Sequence, residues 1–137
     1  MFTGYWRYLL AWLALAVIAV LNGILREASY GQALSELVSH QLSTLSAMLL
    51  CAIFVVYLDR IWPFPSARHA WVVGVAWLLM TVAFEFGFGH FVAGHSWARL
   101  LTDYNLTQGR VWSLFLLWVL VLPPLIHRYS IYARTKT

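Results

Sequence analysis

Four continuous apolar runs organise this chain: Tyr8–Leu25, Val38–Leu58, Ala70–Val92 and Val111–His127. Each is close to the roughly 20 residues that a helix needs to cross the hydrocarbon core of a bilayer. None shows the strict alternation of a barrel strand. Backbone groups cannot go unpaired in lipid, so continuous runs of this length must be helices. The pattern predicts an all-α integral membrane protein, a four-transmembrane-helix bundle forming one domain over residues 1–137. Arg7 precedes the first run, but no small-x-small cleavage site follows it. That run is therefore read as a retained helix and not as a signal peptide.

The connections agree. Trp62-Pro63-Phe64-Pro65 breaks the chain between the second and third runs, because proline removes a backbone donor and clashes with a continuing helix. Pro123-Pro124 is expected to kink or fray the end of the fourth. Gln32 to Ser39 is expected to extend the second helix outward. Between the third and fourth runs, Ser96 is a candidate N-cap. Trp97, Leu100, Leu101 and Tyr104 follow at helical spacing, which predicts a short amphipathic helix lying on the outer interface.

Charge gives the bundle a direction. Arg7, Arg60, Arg68, Arg128, Arg134 and Lys136 fall on the side of both termini, and Arg26, Arg99 and Arg110 on the other. The positive-inside rule then places both termini in the cytoplasm. The formal net charge of +4 reads as this topology signal; no basic patch interleaved with aromatics points to nucleic acid. With 10% charged residues against 62% hydrophobic, the chain lies far from soluble domains, which carry roughly 25% charged residues. The single Cys51 excludes an intrachain disulfide.

The same direction gathers most of the chemistry at the outer end. Glu27, Glu36, Glu85 and Asp103 lie there, with His40, His90 and His95. Glu85 stands out. Counted from Ala70 at about 1.5 Å per residue, it lies about 22 Å into the third helix. A carboxylate at such depth faces a bundle interior or a wet cavity and has a partner. Asn22 and Arg26, four residues apart, share one face of the first helix, and Arg26 is the expected salt-bridge partner of Glu85. Gly87 and Gly89 permit close approach. Asn105-Leu106-Thr107 matches a glycosylation acceptor by sequence alone.

The stretches Leu21-Asn22-Gly23 to Arg26-Glu27, Phe84-Glu85-Phe86-Gly87-Phe88-Gly89-His90 and Asp103-Tyr104-Asn105-Leu106 to Gly109-Arg110 resemble a family of small bacterial inner-membrane proteins of unknown function. That resemblance implies a multi-pass protein of the bacterial inner membrane and no particular chemistry. Glu85 followed by Arg, Asp, Asn and Gly also resembles VanZ-like membrane proteins, although the interval from Glu85 to Arg99 is longer than their pattern. MAPEG-type glutathione enzymes share the size and helix count, but not a motif found here.

Three functions fit these residues. The leading one is an outer-leaflet site for a lipid headgroup or another small polar or amphipathic molecule. Its expected binding residues are Asn22, Arg26, Glu27, His40, Glu85, His90, Asp103, Asn105 and Arg110. If a reaction occurs there, Glu85 or His40 is the candidate general base. The second is a small oligomeric transporter or channel with Glu85 as the coupled ionisable group. The third is a structural or assembly subunit of a membrane complex. The expected partners are membrane lipids, and a second copy of the chain or a subunit of such a complex. No cofactor is expected. Glu85, His40, His90 and His95 are types that bind zinc or copper, but they include no close His pair, so no metal is expected.

Overall fold

The computed structural model describes residues 4–102 and 112–136. Every regular element in them is helical: α1 (Tyr5–Ala28), α2 (Glu36–Ile61), α3 (Ala67–Gly87), the short α4 (Trp97–Thr102) and α5 (Trp112–Thr135). Among the described residues, four helices are long and apolar enough to cross a membrane, α3 doing so together with a π-helical turn, Phe88–Val92, that prolongs it. The protein is therefore a multi-pass helical membrane protein.

The spans are longer than their hydropathy suggests, and caps explain two of the starts. Ser35 accepts a hydrogen bond from the Val38 amide at 3.2 Å, and Ser66 accepts one from the His69 amide at 3.1 Å. Each satisfies a donor that the first turn of a helix leaves unpaired. Upstream of Ser35 the chain does not extend α2. It forms a 3₁₀ turn, Tyr30–Gln32. Pro123 and Pro124 do not end α5 either, which continues to Thr135. Pro123 is fully buried, so the rings are absorbed into the packing.

Around the bundle the helices run α1, α2, α5, α3, and α3 closes back on α1 through its sparsest contact. The consecutive α2 and α3 thus sit across the diagonal, with α5 between them. Lipid tails are as apolar as side chains, so bundles in membranes are held by close van der Waals fit and hydrogen bonds. Small residues accordingly occupy the seams: Ala11, Ala47, Cys51 and Ala70 are buried beside Val55, Val73, Trp77 and Leu122.

Three indoles tie helix to helix. Trp77 donates to the Tyr8 carbonyl at 2.8 Å and Trp12 to Thr81 Oγ1 at 3.0 Å, joining α1 to α3. Trp118 donates to the Met48 carbonyl at 2.9 Å, joining α5 to α2. Each buries a large ring while giving its one N–H a partner.

The end of the bundle that carries both termini is richer than its sequence suggests. Asp59 is buried there and accepts from the Phe64 amide at 3.2 Å and from the Ser130 hydroxyl. Tyr8 donates to the Trp62 carbonyl at 2.9 Å and stacks on Phe64 at 5.0 Å between ring centres. The Trp62–Pro65 break is thus clamped from α1 and α2, with Ser130 of α5 bracing Asp59. An apolar, inert end is not what the fold presents.

Candidate functional site

At the opposite end, α1, α2 and the last turns of α3 diverge around a cavity of about 380 Å³. Its polar wall comes from Asn22 and Arg26 on α1, His40, Gln41, Ser43 and Thr44 on α2, Glu85 on α3, and His95. Four residues singled out in sequence, Asn22, Arg26, His40 and Glu85, therefore meet in one chamber. Phe84, Phe86, Phe88 and Leu100 supply much of its apolar wall.

One polar knot fixes the α1–α2 side. Asn22 Nδ2 donates to both the carbonyl and the hydroxyl of Ser43, each at 2.8 Å, and Arg26 donates to the same hydroxyl at 3.3 Å. Asn22 and Arg26 reach a single residue because they lie one turn apart on one helix face. Ser43 is buried, so a hydroxyl that would otherwise cost free energy in an apolar setting is paired.

Arg26 does not form its ion pair with Glu85. Its carboxylate partner is Glu27, at 3.2 Å. Adjacent residues point about 100° apart on a helix, but both side chains are long and lie in the last turn of α1, where they can fold together. The exposures differ: Arg26 keeps 20% of its side chain accessible and Glu27 keeps 73%. The guanidinium belongs to the chamber and Glu27 stands outside it. An exposed pair of this kind contributes about 0–1 kcal/mol, so a stronger anion can displace Glu27 at little cost.

The π turn sets the roof. Gly89 lies against the Leu100 side chain: a methyl added at Gly89 would come within 2.6 Å of Leu100 Cδ2. The absent side chain lets α4 close down over the chamber. His90 turns away. Its ring stacks on Trp97 at 3.8 Å between centres, and Nδ1 lies 2.8 Å from the His95 carbonyl. A carbonyl only accepts, so Nδ1 carries the proton, and His90 fastens the 88–97 segment instead of lining the cavity. Asp103, Asn105 and Arg110 lie outside the described residues, as does the second half of the expected amphipathic helix.

A second cavity of about 70 Å³ lies beneath the first, among Trp12, Leu15, Cys51, Thr81, Phe115 and Val119. Ala19, Phe84 and Glu85 belong to the walls of both. Glu85 thus stands at the boundary between a polar upper space and an apolar lower one. Sequence reading missed Gln41, Ser43, Thr44 and His95 as wall residues. The first three were visible only as polar neighbours of His40 at one depth. Cys51 gave no signal at all, since a lone cysteine in an apolar run reads as packing. Among the described residues, no three of His, Cys, Asp and Glu converge closely enough to hold a metal ion.

Comparison of the chain with protein-family models, with curated proteins and with solved structures finds no match.

Proposed function

We propose that this protein binds the polar head of a small amphipathic molecule, foremost a lipid headgroup, in the chamber beneath α4. In this reading the protein lies in a bacterial inner membrane with both termini in the cytoplasm. The chamber then faces the outer leaflet, and α4 lies along the outer interface with Trp97 and Leu101 toward lipid. The observation that carries the proposal is the meeting of Arg26, Asn22, His40 and Glu85 around one cavity of about 380 Å³. Ionisable side chains at membrane depth are costly and mark sites of function. The Arg26 guanidinium supplies a planar donor fork suited to phosphate or carboxylate, with the side-chain amide of Gln41 in the same wall.

The core below the chamber favours binding over passage. Val55, Val73, Trp77 and Leu122 are completely enclosed, and they separate the chamber from the Asp59 end. Native mass spectrometry of the full chain released from membranes tests the proposal. A retained amphipathic molecule is expected in the wild type. Glu85→Gln and Arg26→Gln, folded as judged by helical circular dichroism and thermal melting, are expected to lose it. If both folded variants retain it undiminished, the chamber is not its site.

A further inference from the structure

We infer that the ligand is a phosphate-bearing lipid that enters sideways from the bilayer between α1 and α3 and lowers a short stretch of one acyl chain past Glu85 into the lower cavity. The inference rests on the chamber being a binding site, and adds what kind of molecule fills it and by which route.

The route follows from which wall residues also face outward. Val20 on α1 and Phe84 and Phe88 on the α3 side line the upper chamber, yet are 46%, 39% and 49% exposed. A residue that borders the cavity and the lipid-facing surface at once marks a mouth in the side of the bundle. That mouth lies in the α1–α3 seam, the loosest of the four. Lower down, the seam is shut by the Trp12–Thr81 hydrogen bond and by the edge of Trp12 against Phe84, 6.0 Å between ring centres. A water-borne ligand has no need of an opening onto lipid, whereas a membrane lipid does.

The two cavities then match the two halves of such a molecule. The upper one holds the guanidinium of Arg26 with amides and hydroxyls around it. Apart from Glu85 at its upper boundary, the lower one is walled by rings, aliphatic groups and Cys51, with the Thr81 hydroxyl occupied by the Trp77 carbonyl and the Trp12 indole. Its volume of about 70 Å³ is several times the space one water needs, room for a few methylene groups of a chain. Polar above and apolar below, joined at shared walls and open to the side, the pair fits a head and a chain.

Cys51, the sole cysteine, reports on the lower cavity without any mutation. The full-length protein in detergent is treated with N-ethylmaleimide, alone, with dioleoyl phosphatidylglycerol, or with glycerophosphoglycerol, its deacylated form. Bound phosphatidylglycerol is expected to slow Cys51 modification about tenfold, and glycerophosphoglycerol to leave it unchanged. Ala16→Phe, which fills the lower cavity alone, is expected to weaken phosphatidylglycerol retention by a similar factor while sparing glycerophosphoglycerol. Leu13→Phe, on the lipid-facing side of α1, is expected to change neither. Phosphatidylglycerol that binds through Arg26 yet leaves the Cys51 rate untouched would overturn the placement of the chain while the headgroup site stands. If neither molecule binds, or if binding ignores Arg26→Gln, the chamber reading falls and this inference with it.

Discussion

Gly74 on α3 lies against the backbone carbonyl of Leu120 on α5, and a methyl group at position 74 would collide with that oxygen. The carbonyl is no ordinary one. In a helix it would accept from the amide of residue 124, and residue 124 is proline. The glycine brings its Cα hydrogens to an oxygen whose usual donor is missing, a weak but recurrent contact between helices. The same pairing helps α5 carry Pro124 without breaking.

Gly74→Ala is therefore expected to force the helices apart, because the obstruction is backbone and cannot rotate away. A loss of about 1–3 kcal/mol is expected from such overpacking. Gly87→Ala is the control. Nothing lies within 4 Å of a methyl group there, so that change should be neutral, or stabilising by up to about 1 kcal/mol through helix propensity. Thermal unfolding of both variants in detergent measures the contrast. Equal melting temperatures would mean the seam has slack.

The Asn22–Ser43 knot predicts an asymmetry. Asn22→Ala removes both hydrogen bonds and should cost about 1 kcal/mol, within the range of interhelical bonds in membranes. Ser43→Ala keeps the carbonyl bond from Asn22 but takes the hydroxyl from both Asn22 and Arg26, so it should cost as much or more. A double-mutant cycle by denaturant titration in detergent isolates the hydroxyl's share. A smaller loss for Ser43→Ala than for Asn22→Ala would show that the Arg26 bond contributes nothing.

Asp59→Ala is expected to be among the most damaging substitutions at the terminal end. It strips the acceptor from the buried Phe64 amide and from Ser130 together, and an orphaned buried donor costs about 1–3 kcal/mol. Ser130→Ala leaves the amide bond intact and should be milder. Protease sensitivity of the 62–65 turn reads the effect, with Asp59→Ala cut fastest.

Glu27→Gln should leave stability within about 0.5 kcal/mol of wild type, because its pair with Arg26 is exposed. It should also free the guanidinium for an incoming anion, so retention of a phosphate-bearing ligand is expected to rise or hold. A Glu27→Gln protein that loses its ligand would place Glu27 inside the site.

Much of this was legible in the sequence, for reasons that differ by residue. The four spans were plain because hydropathy is local. Glu85 was conspicuous because a carboxylate deep in an apolar run has few innocent explanations. Its chamber neighbours Asn22 and Arg26 could be paired by helical spacing alone. The partner of Arg26 could not, since it depended on how α1 and α3 are rotated and on the exposed end of α1, where Glu27 competes. Asp59 reads in sequence as an interfacial charge beside Arg60. Only the fold shows the 62–65 turn curling back to donate to it. The lower cavity is a property of four helices at once, so no single segment encodes it.

The circular order of the helices has a consequence in time. α5 is made after the other three spans, yet it is the strut between α2 and α3. Until it inserts, Met48 waits for the Trp118 indole, Asp59 for the Ser130 hydroxyl and Gly74 for the Leu120 carbonyl. A nascent chain of three helices is thus an open horseshoe with its polar groups facing lipid. Its completion is a single late event that closes both ends together.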